Sequence, residues 1–136
     1  MTQRERPLSP FMHYRWQYSN TLSILHRLTG VFMSLGLLLL VYWLAAAASG
    51  AESYGVALEV FSMPITKFAL FLWLLSFYYH FLNGIRHLCW DLGWGFERAV
   101  AKKTGWLVFI SAIVLTALTW MCLSLRIYAS ANGGLV

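Results

Sequence analysis

Two short polar clusters interrupt otherwise apolar sequence: Ser23, His26 and Arg27 in the run Ser23-Ile24-Leu25-His26-Arg27, and His80, Asn83, Gly84, Arg86, His87 and Asp91 further along. His80 has the most chemistry open to it. An imidazole among apolar side chains must stay neutral, bond an acceptor or ligate a metal. A histidine bonded to the carbonyl of a neighbouring helix is one reading. An axial ligand to the iron of a b-type haem is the other, with one ring nitrogen on the metal and the other held by an acceptor. On a helix, His80 and His87 share a face but stand about 10 Å apart along the axis, too far to grip one iron from both sides. One such helix therefore supplies at most one ligand per haem. Gly84, one turn beyond His80, leaves that face smooth for a flat macrocycle, or equally for the close approach of another helix.

Arg86, His87 and Asp91 are read as sitting at the inner end of the same face as His80, at the depth of Ser23, His26 and Arg27. Cationic groups at that level suit carboxylates, such as the propionates of a haem ligated deeper at His80. A hydroxyl one turn from an arginine suits the carbonyl oxygen of a quinone. Each arginine taken singly would also serve by reaching to lipid phosphates. Two arginines and two histidines converging on one level are harder to explain in that way.

The elements that must position these groups follow from composition. Of 136 residues, 60% are hydrophobic and 11% charged, against ~45–50% and ~25% in ordinary soluble domains. A soluble domain of this size leaves roughly a third of its unfolded surface in water, which this composition cannot do. The chain is therefore read as an integral membrane protein. Ten Lys and Arg against five Asp and Glu give +5, but the basic residues form no continuous stripe, which argues against a nucleic-acid partner. Cys89 and Cys122 read as small apolar fillers.

Three stretches carry no Asp, Glu, Lys or Arg: 28–51, 68–85 and 104–125. Crossing ~30 Å of hydrocarbon takes about 20 helical residues, and backbone groups in lipid must bond within their own helix. Three transmembrane helices are predicted, at about 21–50, 66–90 and 104–128, in a single domain covering 1–136. Segment 1–20 reads as an interfacial anchor, with Phe11, Tyr14, Trp16 and Tyr18 interleaved with Arg15. Residues 50–66 and 91–103 read as connections, punctuated by Pro64 and by Gly93 and Gly95. The first apolar run exceeds a 7–15-residue signal core and is preceded by a charged tail, so it reads as a span rather than a cleaved signal.

Arg4, Arg6, Arg15, Arg27, Arg86, Arg98, Lys102 and Lys103 fall on one side of these spans, and only Lys67 and Arg126 on the other. The positive side is the cytoplasmic one, which puts the N-terminus inside. Trp16, Tyr18, Trp90, Trp94 and Trp106 form the expected inner aromatic belt, and Tyr42, Trp43, Tyr54, Trp120 and Tyr128 the outer one. The prolines at 7 and 10, in place of a Ser/Arg-rich amphipathic helix, favour a bacterial inner membrane over a mitochondrial one.

The run Ser23-Ile24-Leu25-His26-Arg27-Leu28-Thr29-Gly30, followed by His80 through Gly84-Ile85-Arg86-His87 to Asp91-Leu92-Gly93, closely resembles the cytochrome b subunit of bacterial and mitochondrial succinate dehydrogenase. That subunit is the larger hydrophobic anchor of complex II. Arg6-Pro7-Leu8-Ser9-Pro10 is similar to the family's opening. The resemblance implies an all-α fold whose three spans form half of a heterodimeric helix bundle. It implies a haem b shared with the second hydrophobic anchor subunit, with His80 as the iron ligand on this side. Ser23 and Arg27 match residues of the ubiquinone site, and Asp91 an acidic residue near its end. His26 and His87 match positions near the haem propionates, a level that Arg27 and Arg86 share.

As partners the resemblance implies the iron–sulfur and flavoprotein subunits, docked on the cytoplasmic face. Electrons from succinate would pass through them to ubiquinone, joining the tricarboxylic acid cycle to the respiratory chain. The anchor would have no succinate-oxidising activity alone. A quinol:fumarate reductase anchor is a near relative. A small transporter is a different class, and one that usually carries a mid-membrane carboxylate. Here Glu5, Glu52, Glu59, Asp91 and Glu97 all fall at span ends or outside them.

Overall fold

The computed structural model describes residues 17–133. The Arg6-to-Pro10 run, most of the expected interfacial anchor including Trp16, and three of the inner-side arginines (Arg4, Arg6 and Arg15) lie outside the described residues. The rest is helical: α1 (Tyr18–Ala48), α2 (Ala51–Ser62), α3 (Pro64–Asp91) and α4 (Arg98–Ala131), with no strand among the described residues. α1, α3 and α4 are each long and apolar enough to cross a membrane, so the three expected spans are present. All three start before their predicted bounds, α4 by six residues, and α1 stops two residues short of its predicted end. A 34-residue helix reaches about 50 Å, so its ends stand beyond the hydrocarbon, where charges cost little.

The segment expected as a connection holds α2. Gly50, at φ 109°, ends the first helix in a conformation that a side chain would strain. Glu52 then sits in the first turn of α2, where a carboxylate favours the helix dipole. Pro64 opens α3 at a position where its missing N–H would be unbonded anyway.

α3 lies between α1 and α4, antiparallel to both. Polar groups tie it to each neighbour: Tyr79 Oη donates to the Leu22 carbonyl (3.0 Å), Trp73 Nε1 to the Met33 carbonyl (3.2 Å), and the Tyr78 and Thr119 hydroxyls share a bond of 2.8 Å. Small residues admit these approaches, as in many membrane bundles. A Cβ at Gly36 would collide with the Trp73 indole, and one at Gly105 with Leu22 and Tyr18. The buried core is small, centred on Leu22, Tyr79, Val108 and Ala112. Leu28, Val31, Leu35 and Leu38 on α1 are exposed. The start of α1, the end of α3 and the start of α4 gather at one end of the bundle, where Tyr18 stacks on Trp106 at 5.7 Å. Trp43 and Tyr54 pair at the opposite end.

Candidate functional site

α1 and α3 cross where His26 and His80 meet. Their rings stack with centroids 3.9 Å apart and planes 10° from parallel. His80 Nδ1 lies 3.0 Å from the His26 carbonyl oxygen and 3.4 Å from Thr29 Oγ1. A carbonyl only accepts, so Nδ1 carries the proton in this bond. In the neutral ring the lone pair is then on Nε2, which makes no hydrogen bond among the described residues. An imidazole held in this way through Nδ1 is the arrangement that second-shell acceptors impose on metal-bound histidine.

Gly30 makes the approach possible, because a Cβ there would stand 3.0 Å from His80 Cε1. A valine at this position meets the ring with two more methyls. Gly30→Val is expected to destabilise the α1–α3 pair by about 1–3 kcal/mol through overpacking. A lowered melting temperature in detergent checks this; an unchanged one would mean that α1 shifts to admit the side chain.

His87 joins the cluster, its ring 5.1 Å from that of His26. His26 Nδ1 is buried with no hydrogen-bond partner, an orphaned polar atom facing no group in the described chain that can satisfy it. Gly84, one turn from His80, has nothing within 4 Å of where its Cβ would be, so that face is open. Among the described residues no three His, Cys, Asp or Glu side chains converge to hold a metal by themselves. What the described residues offer is the unengaged Nε2 lone pair of His80 beside an open face.

Ser23 lies one turn before Arg27 on α1, half-buried, with no hydrogen bond to its hydroxyl among the described residues. Arg27 and Asp91 are exposed and take part in no ion pair among the described residues. Arg86 stands elsewhere. Six residues turn it about 120° from His80, and it is buried against α4. Nε donates to Thr104 Oγ1 (3.1 Å), Nη2 to the Ala101 carbonyl (2.8 Å) and Nη1 to Asn83 Oδ1 (3.3 Å), and the guanidinium carbon sits 4.0 Å over the Trp90 ring. The expectation that Arg86 shares the face of His80 and His87 is therefore corrected. Thr29 and Asn83, given no role from sequence, both touch the cluster. Thr29 had one signal, its place one turn after His26.

Residues 2–119 match the profile of a family described as succinate dehydrogenase/fumarate reductase transmembrane subunit. The chain belongs to that family. The succinate dehydrogenase cytochrome b556 subunit of Rickettsia prowazekii is 42% identical over 118 residues, 86% of this chain and 92% of that one. The corresponding subunit of Paracoccus denitrificans is 33% identical over 115 residues, 84% and 88% of the two chains. The mitochondrial cytochrome b560 subunit of Mus musculus is 35% identical over 121 residues, 87% of this chain and 69% of the relative. The expected resemblance to a succinate dehydrogenase cytochrome b anchor is borne out, and this chain is a multi-pass membrane subunit of that type.

Proposed function

We propose that the chain binds haem b as the anchor of a succinate:ubiquinone oxidoreductase and frames its ubiquinone-reduction site. The observation that carries this reading is the His80 ring, fixed through Nδ1 on the His26 carbonyl with Nε2 left for iron. The fit extends to the open Gly84 face and to the orphaned His26 nitrogen. Haem iron would take its second imidazole from the other hydrophobic anchor subunit. Exposed apolar residues of α1, Leu28 and Val31 among them, supply the surface for that subunit. His26, Arg27 and His87 are the groups proposed to face the propionates, with Arg86 acting from behind them. When bound, the haem supplies a one-electron acceptor beside the quinone site.

At that site the Ser23 hydroxyl would donate to a quinone carbonyl oxygen. Arg27, one turn on, would hold a positive charge where the oxygen becomes negative as electrons arrive. Asp91 would stand at the site's edge. The basic bias of this end supports a cytoplasmic position for it, where the flavoprotein and iron–sulfur subunits would dock and deliver electrons from succinate. A bacterial inner membrane is the proposed location.

Loss of one hydrogen bond costs ~1 kcal/mol, so Ser23→Ala is expected to raise the apparent quinone KM about fivefold and leave succinate oxidation by a soluble dye unchanged. Steady-state kinetics at varied quinone test this. An unchanged KM would remove Ser23 from the site.

A further inference from the structure

Asn83 is 1% exposed and Arg86 8%, an amide and a guanidinium buried inside a helical membrane bundle. Buried polar groups of this kind are expensive unless bonded, and each has partners. Arg86 is anchored from α4 by the Ala101 carbonyl and the Thr104 hydroxyl, and rests on the Trp90 ring. Its Nη1 then reaches Asn83 at 3.3 Å, and the other end of the Asn83 amide reaches His87 Nε2, also at 3.3 Å.

The donor inventory fixes the direction of this chain of bonds without reference to any placed hydrogen. Arginine only donates, so the Asn83 atom facing it must be the oxygen. The atom facing His87 is therefore the NH2, which cannot accept. His87 Nε2 must accept, and in the neutral ring the proton resides on Nδ1. Nδ1 is the one hydrogen-bonding atom of the His87 ring left unengaged among the described residues.

We propose that Arg86 and Asn83 are positioning residues for His87: the relay from α4 through Arg86 and Asn83 locks His87 in the Nδ1–H form, so that it presents a donor to an anionic or carbonyl oxygen beside the His26 and His80 rings. The identity of that acceptor as a haem propionate rests on the proposed function; the lock itself does not. It accounts for a buried arginine turned away from the site it was expected to join. It also gives His87 a neutral donor's role in place of a cation's.

The test is 15N solid-state NMR of the purified, dithionite-reduced complex labelled at histidine, with the His87 signals identified by their loss in His87→Phe. In the wild type, His87 is expected to show a protonated Nδ1 and an unprotonated Nε2. Asn83→Leu removes the donor, and the proton should then be shared between the two nitrogens. Asn83→Asp keeps the size and still pairs with Arg86 but can only accept, so Nε2 should become protonated. A residue that merely filled space would leave the tautomer alone in both. A protonated Nε2 in the wild type overturns the proposal whether or not either variant folds, as does an unprotonated Nε2 in Asn83→Asp. The b-type absorbance of the same sample reports separately on the haem: its absence beside an Nδ1–H His87 would sink the proposed acceptor and spare the lock.

Discussion

A complex carrying His80→Leu is expected to assemble and to lose its b-type reduced-minus-oxidised spectrum. Leucine fills much of the imidazole's volume, and Gly30 leaves room for it against α1. The ties that hold α3 in place, Tyr79 to Leu22 and Trp73 to Met33, do not involve His80. What disappears is the Nε2 lone pair and, with it, the bond from Nδ1 to the His26 carbonyl. Removing only an outer partner of a metal ligand costs about 10–100-fold in metal affinity. Loss of the ligand itself exceeds that, and haem should fall below about a tenth of the wild-type content after purification. Haem measured against subunit protein decides the matter, and a full complement in the variant would assign the iron to another residue.

Arg27→Ala is expected to separate two activities of the same complex. The Arg27 side chain is exposed and forms no ion pair within the described chain, so the bundle does not depend on it. Its proposed work is electrostatic, at an oxygen that gains negative charge during reduction. Removing one preorganised group of that kind costs about 10²–10³ in rate. Succinate:quinone activity should therefore drop about a hundredfold, while succinate oxidation by a soluble dye, which bypasses the anchor, stays near wild type. Equal losses in both assays would place Arg27 in assembly.

The spans were legible because charges are excluded from hydrocarbon: three charge-free stretches give α1, α3 and α4 directly. α2 was hidden. Twelve residues holding Glu52 and Glu59 carry no membrane signal; Gly50, at the start of the expected connection, caps α2, and Pro64, which read as loop punctuation, opens α3 two residues after α2 ends. The grouping of His80 with His87 followed from helical spacing, and the meeting with His26 from depth alone. The tautomer of His80 was not legible, since it depends on which carbonyl of α1 lies opposite, a matter of how closely Gly30 lets the helices approach. Arg86 was misplaced for a related reason. Helical depth puts it level with the cluster, but six residues turn it about 120° from His80, and the partners that draw it toward α4, Thr104 and the Ala101 carbonyl, lie across a loop of irregular backbone. Asn83 had no readable role until those partners were known.

One imidazole from this chain, that of His80, and one from a second anchor are the ligands proposed for the haem iron. The most direct test is the axial ligation and stoichiometry of haem in wild-type complex purified through a tag on this chain, read by low-temperature EPR and near-infrared absorption beside the subunit composition. The predicted result is one low-spin b-type haem with two imidazole ligands for each copy of this chain and of a second hydrophobic subunit. A complex that retains the flavoprotein and iron–sulfur subunits but carries no haem, or a haem whose second ligand is not imidazole, would contradict it.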